Sequence, residues 1–228
     1  LDDYSALWHR LSLSALPTLY PVYLVYLYTC IPVYLSTLST SIMSGLRVIG
    51  GKASGHNLRS VPGETTRPIT DRAKESLFNI IGADIEGAAF LDLFGGTGSV
   101  GIEALSRGAE FARFVEIDRQ AIQTIRHNLE HTKLEGAAEV LRIDAFALLS
   151  RPADRHFDYV YIAPPQYQGL WKQALLGLDA NPSWLSEDAW VIAQIHPREI
   201  EGVELQNLVE FDQRLYGAVL LVFYRPPF

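Results

Sequence analysis

The chain has 228 residues, 48% of them hydrophobic, and a formal charge of −7 at pH 7. That apolar content suffices for a packed core and excludes a disordered chain, and the acidic balance excludes a surface sticky towards polyanions all over, so nucleic acid would have to meet a local patch. A single cysteine, Cys30, excludes an internal disulfide and a cysteine-based zinc site, and the six histidines show no H-E-x-x-H spacing, so no metal is expected and a reducing cytoplasm fits.

Residues 1–42 differ in kind from the rest, with no charge between Arg10 and Arg47 and many Leu, Tyr, Ser, Thr and Pro. Pro17, Pro21 and Pro32 each remove a helix hydrogen bond from the most apolar part, and no Arg/Lys-led signal region precedes it. The only methionine, Met43, stands where ordinary globular composition begins. The expectation is therefore a native start at Met43 and a non-native or unstructured extension at 1–42, not a membrane anchor. Residues 43–70 read as a basic arm: from Met43 to Lys74 there are six basic residues against two acidic ones. Leu46–Ile49 and Leu58–Val61 flank a glycine-rich turn and predict a short β-hairpin, with Arg47, Lys52, Arg59, Arg67 and Arg72 as candidate phosphate contacts. Thr70 is then placed to cap a helix near 71–81, with Ala73, Leu77, Ile80 and Ile81 on one face.

Phe90-Leu91-Asp92-Leu93-Phe94-Gly95-Gly96-Thr97-Gly98 predicts a buried parallel strand running through a glycine turn into a helix near 99–107 that ends at Gly108. Glycine there admits positive φ and a close ligand, and the helix offers free N–H groups to the turn. The spacing Gly96-x-Gly98-x-x-Gly101 suits a nucleotide-containing ligand, without separating NAD from S-adenosylmethionine. A second strand, 111–118, ends in Glu116 and Asp118, where a carboxylate can hold ribose hydroxyls. A helix near 119–132 turns Ile122, Ile125 and Leu129 inward, and a strand at 139–143 ends in Asp144. A fourth strand, 157–162, runs into Ala163-Pro164-Pro165-Gln166-Tyr167, whose prolines stop the ladder in a rigid turn. A helix near 169–178, a strand near 189–195 and a closing pair near 206–214 and 218–225 complete an α/β alternation with an antiparallel edge.

From Leu46 to about Tyr224 the residues resemble the RsmD-type ribosomal RNA guanine-N2 methyltransferases, class I enzymes that use S-adenosylmethionine. The likeness rests on Arg47-Val48-Ile49-Gly50-Gly51-Lys52, on the run from Thr66 to Asn79, on the Asp92–Gly98 turn followed by Gly101-Ile102-Glu103-Ala104-Leu105, and on Pro164-Pro165. It implies a Rossmann-like, mostly parallel seven-stranded sheet with helices on both faces, spanning 71–228 behind a small N-terminal β arm. By position it implies that Asp92, Phe94, Gly95, Gly96 and Gly98 hold the methionine part of the cofactor, Glu116 and Asp118 the ribose, and Asp144 with Ala145 the adenine. It further implies a cytoplasmic, metal-free monomer acting on ribosomal RNA or an assembling small subunit, with Ala163–Tyr167 as the catalytic turn. The family has Asp-Pro-Pro-Tyr or Asp-Pro-Pro-Phe at that turn, and this chain has Ala163 where the acid would stand. Gln166 is then a candidate acceptor for the target amine and Tyr167 a stacking face for an extruded base. Competing readings are a non-catalytic cofactor- or RNA-binding relative, suggested by Ala163, and an amine methyltransferase acting on DNA or protein glutamine. An NAD-dependent oxidoreductase would need a substrate region for which no residues remain.

Overall fold

In a computed structural model, residues 46–62 and 69–227 are described; residues 1–45 with the expected start at Met43, residues 63–68 with Arg67, and residue 228 lie outside them. In order come α1 (Asp71–Ile81), β1 (Ala89–Asp92), α2 (Ser99–Ser106), β2 (Phe111–Glu116), α3 (Arg119–Thr132), β3 (Ala138–Arg142) and α4 (Ala145–Leu149). There follow β4 (Phe157–Ile162), α5 (Leu170–Ala180), β5 (Leu185–Ile195), β6 (Val209–Tyr216) and β7 (Val219–Arg225). The strands form one sheet in the order β3-β2-β1-β4-β5-β7-β6, with β7 antiparallel to both of its neighbours and the other pairings parallel.

The central strands are nearly continuous apolar runs because helices cover both of their faces. On one face α1, α2 and α3 pack Leu77, Phe78, Ile102, Leu105 and Ile125 over Phe90 and Phe114; on the other, Leu148, Leu149, Trp171, Leu175 and Leu178 of α4 and α5 cover Leu91, Val160 and Val191. Phe90 is fully buried between the rings of Phe78 and Tyr159, each with its centroid 6.4 Å away. The helices start where capping residues stand: Thr70 accepts from Ala73 N–H, Asp118 from Gln120 and Ala121 N–H, and Asp144 from Ala147 N–H.

Three strand boundaries differ from the sequence reading, one of them the start of β6, at Val209 where a start near 206 was expected. β2 stops at Glu116, because the Glu116 carboxylate accepts the N–H groups of Ile117 and Asp118 and turns the chain. β5 begins at Leu185, and its polar start, Ser186-Glu187-Asp188, pairs irregularly with β4 where the register shifts between Phe157 and Tyr159. The expected hairpin of the arm is present in short form, with an antiparallel bridge between Arg47 and Asn57. Across the arm Leu58 N–H donates to Leu46 O at 2.6 Å, Val48 N–H to His56 O at 2.9 Å and Gly55 N–H to Val48 O at 2.9 Å, while the donors of Ile49, Gly50 and Lys52 go to α2. Ile49 and Gly50 N–H donate to the Glu103 carboxylate at 2.7 and 2.8 Å, and Lys52 N–H caps the carbonyl of Ser106 at the end of α2 at 2.7 Å. Gly51 has φ 75°, and a Cβ there would fall 1.8 Å from Ser106 O, so the Gly50-Gly51-Lys52 motif is a docking device for the arm. Leu46, Val48, Ala53 and Leu58 join the same apolar cluster as α1 and α2.

Glu103 has a fully buried side chain and also meets Arg107 Nε at 2.8 Å and Lys74 Nζ at 3.6 Å, while Lys74 Nζ donates to Arg47 O at 2.6 Å. Burial pulls the Lys74 ammonium below the ordinary lysine range, and the Glu103 carboxylate pulls it back. Removing one member of such a buried network strands the others. Glu103→Ala is expected to lower the unfolding free energy by about 3–5 kcal/mol in urea denaturation, and Glu103→Gln by less; a loss below about 1 kcal/mol for the alanine variant would show that the carboxylate does not anchor the arm.

Candidate cofactor and substrate site

Register brings the candidate residues to one edge of the sheet. Asp92, the last residue of β1, lies beside Phe114 of β2 and Tyr161 of β4, and Glu116 lies beside Arg142 of β3. Phe94, Glu116, Asp144 and Ala163 therefore lie at or just beyond the carboxyl ends of four adjacent parallel strands. This edge includes the point between β1 and β4 where the strand order reverses, the place at which open α/β sheets bind ligands.

Asp92 is 2% exposed, and its Oδ1 has no hydrogen-bond partner among the described residues. Burial pushes the carboxyl up to about 7; the backbone bonds from Phe94 and Gly101 oppose this, and the nearby Glu116 charge adds to it. A buried acceptor without a donor is costly unless a ligand supplies one, and a cationic donor suits it best.

Beyond Asp92 the glycine turn is held from both sides. Gly95 N–H donates to Val115 O at 2.9 Å, and Gly96 N–H donates to Glu116 Oε2 at 2.9 Å. Gly96 has φ 51°, and a Cβ there would meet only Phe94 O, at 3.9 Å, so the turn is open at this point. Gly98, at φ 77°, caps the start of α2, whose free N–H groups make the turn electropositive. The Gly95 backbone is pressed against Ile125 Cδ1, 2.8 Å from where its Cβ would be, so the turn cannot retreat from a ligand. An open glycine backbone, an orphaned buried carboxylate oxygen and a helix N-terminus together fit the charged amino-acid end of S-adenosylmethionine.

Glu116 is oriented by three backbone N–H groups, those of Gly96, Ile117 and Asp118. Asp118 and Asp144 sit at the same edge but spend an oxygen each on helix capping. Ala145 is buried beside Asp144, and the rings of Phe94 and Phe146 meet edge to face at 6.2 Å. In the second turn Ala163 is half-buried, Pro164 is buried, and Pro165, Gln166 and Tyr167 are exposed. Leu93 N–H donates to Tyr161 O at 3.0 Å, which fastens the two turns together at their roots.

The basic residues are less free than their sequence suggests. Arg47 pairs with Asp71 at 2.9 Å, whereas Lys52, Arg59 and Arg72 are exposed and Arg67 lies outside the described residues. Asn128 of α3 was missed by the sequence reading. Its buried amide accepts from Arg59 N–H at 2.8 Å and donates to Arg59 O at 3.1 Å and Thr97 O at 2.9 Å, so one side chain joins the arm to the glycine turn. Also missed were His196 and Glu199, which follow β5 at the same edge: Tyr167 N–H donates to Glu199 Oε1 at 2.6 Å. The signal available was a polar His196-Pro197-Arg198-Glu199 run directly after an apolar strand, which resembles the other strand ends that carry site residues. Among the described residues no group of three His, Cys, Asp or Glu could hold a metal ion, and no helix is long and apolar enough to cross a membrane.

The strand order and the glycine turn together define the Rossmann-like fold of class I methyltransferases. The family model described as conserved hypothetical protein 95 matches residues 46–225, and the chain belongs to that family, the RsmD-type methyltransferases. It is 42% identical over 183 residues to "Putative rRNA methyltransferase YlbH" of Bacillus subtilis (strain 168), across 79% of this chain and 98% of that protein. To "Ribosomal RNA small subunit methyltransferase D" of Escherichia coli (strain K12) it is 36% identical over 149 residues, across 65% of this chain and 74% of that protein. Among solved structures, "Putative methyltransferase yhhF from Escherichia coli" superposes with a TM-score of 0.71 at 32% identity, covering 79% of this chain and 97% of that one.

The raised pKa of Asp92 has a stability consequence. A carboxyl whose folded value lies at about 7 against 3.8 ordinarily costs the fold progressively more as pH rises between these values, and the cost is complete above about 7. Asp92→Asn, which does not titrate, is therefore expected to gain stability over the wild type between pH 5 and pH 8 in the ligand-free protein. Urea denaturation at both values checks this, and a difference independent of pH would contradict the burial of an ionising group.

Proposed function

We propose that the protein methylates the exocyclic N2 of a guanine in small-subunit ribosomal RNA, using S-adenosylmethionine. The carrying observation is the buried, unpartnered Asp92 Oδ1 at an open glycine turn, adjoining a Pro-Pro turn on the next strand. The names of the relatives support ribosomal RNA as substrate. In this reading Asp92, Gly95, Gly96 and Gly98 hold the amino-acid end of the cofactor. Glu116 takes the ribose, with Asp118 behind it, and Asp144 and Ala145 lie against the adenine, with Phe94 closing the same side. Bound S-adenosylmethionine supplies an electrophilic methyl group on a sulfonium.

The chain's own residues then have to orient the amine. The lone pair of an exocyclic guanine nitrogen is delocalised into the ring, so acceptors must engage its N–H groups and turn the nitrogen towards the methyl group. Ala163 provides no side-chain acceptor. Pro164 and Pro165, however, have no N–H, so the turn displays carbonyl oxygens with few competing donors, and Gln166 adds an amide oxygen. The methylated amine loses its proton to solvent, so no base of matched pKa is needed. The exposed Tyr167 ring offers a stacking face for the extruded base, and Lys52, Arg59, Arg67 and Arg72, with Arg47 exchanging its Asp71 partner for phosphate, contact the RNA backbone. In this reading the protein works in the cytoplasm as a monomer.

Ala163 favours one competing reading, a relative that binds cofactor and RNA without turnover. Single-turnover methyl transfer to undermethylated small-subunit particles separates the two. The wild type is expected to transfer, with Ala163→Asp changing the rate by less than about tenfold and Pro164→Ala, which loosens the turn, costing about 10²-fold. No transfer by the wild type, despite measured cofactor and RNA binding, would contradict the enzyme reading, and recovery of transfer in Ala163→Asp would establish the non-catalytic one.

A further inference from the structure

Tyr167 has φ 62°, in the left-handed region. Among the described residues only Lys133 shares this with it outside glycine, and Lys133 ends α3, where that conformation is ordinary. A large aromatic residue in this region costs about 1–3 kcal/mol and persists only where its surroundings impose it. What imposes it here comes from the next strand. The Tyr167 N–H donates to Glu199 Oε1 at 2.6 Å, and Glu199 Oε2 accepts from His196 N–H at 3.1 Å. His196 Nδ1 in turn accepts from Arg198 N–H at 3.2 Å, closing a short turn at Pro197–Glu199, and the His196 ring lies against the Tyr167 ring at 5.5 Å.

Glu199 is not carried on a loose segment. The connection between β5 and β6 is fastened at Glu201, which pairs with Lys172 of α5 at 3.2 Å. It is fastened again where the buried Asp179 carboxylate accepts from Gln206 and Asn207 N–H at 2.9 and 2.8 Å, next to the buried Leu208. The position of Glu199 is thus set independently of the turn after β4, and a carboxylate so placed can impose a conformation on that turn rather than follow it.

We propose that Glu199 is a positioning residue for the methyl-transfer reaction: it clamps Tyr167 in the left-handed conformation, and with it the acceptor turn Ala163–Gln166 and the aromatic surface formed by Tyr167 and His196 that receives the target base. The inference rests on the RNA-methylation reading above and adds to it the part that holds the substrate turn. In a chain whose turn lacks the acidic side chain at 163, orientation falls to backbone carbonyls, and backbone carbonyls are only as well aimed as the backbone is held.

Three measurements test it together. In Glu199→Ala, amide exchange of the 163–169 segment should accelerate, the single-turnover rate should fall about 10²-fold, and affinity for S-adenosylhomocysteine should stay within about twofold because no cofactor contact is touched. Glu199→Gln retains one oxygen for the Tyr167 N–H and should recover an intermediate rate. Tyr167→Gly adopts positive φ without help, so adding Glu199→Ala to it should cost much less than in the wild type. Unchanged exchange, a wild-type rate in Glu199→Ala, or equal losses of cofactor affinity and rate with a lowered melting temperature would each overturn the clamp. A wild type that transfers nothing would instead refute the reaction assigned to the site, and the exchange experiment would still decide whether Glu199 holds the turn.

Discussion

A carboxylate buried at the carboxyl end of β1, with one oxygen unpaired, is the constraint on which the site depends. Left in water, Asp92 would be an ordinary acid. Inside the sheet edge it is held up at about 7 by burial, an effect that the backbone N–H groups of Phe94 and Gly101 oppose, and its Oδ1 has no partner among the described residues and remains for a ligand. The glycines follow from this. The chain has to leave β1, pass over a carboxylate that must stay accessible, and enter α2 at once, which requires φ 51° at Gly96 and φ 77° at Gly98. Binding function and loss of stability therefore share one residue, a recurrent feature of functional sites.

Two anchors make the rest of the edge rigid enough to use that carboxylate. Glu103 gathers Ile49, Gly50, Lys74 and Arg107 around a buried charge and fixes the arm to α1 and α2. Asn128 ties the arm to the glycine turn through Arg59 and Thr97. The basic arm is consequently part of the same packed body as the turn, and RNA held by Lys52 or Arg59 would be held at a defined distance from the cofactor. On the far side of the switch point, Glu199 performs the same service for the turn after β4.

Much of this was legible in the sequence because it depends on local spacing. The period of α1, the apolar runs of β1, β2 and β4, the caps at Thr70 and Gly108 and the glycine turn each have a signature within a dozen residues. What escaped depends on contacts across the chain. Gly50-Gly51-Lys52 reads as the glycine-rich turn of a hairpin, and only the fold shows that this turn also caps α2, with Ser106 O 1.8 Å from a hypothetical Gly51 Cβ. Asp118 reads as a second ribose acid, although its oxygen also serves the start of α3. Asn128 and Glu199 look like ordinary helix and loop residues, because the groups they hold lie 69 and 32 positions away. Ala163 was visible as a departure from the family pattern, but the device that holds its turn was not.

The most direct test of the account is the chemical identity of the product. Small-subunit RNA from undermethylated particles, incubated with this protein and S-adenosylmethionine and digested to nucleosides, should yield N2-methylguanosine by mass spectrometry, and the yield should collapse when Asp92 is replaced by Asn. A methyl group on any other position, or no methylated nucleoside while the protein binds both cofactor and particle, would contradict it.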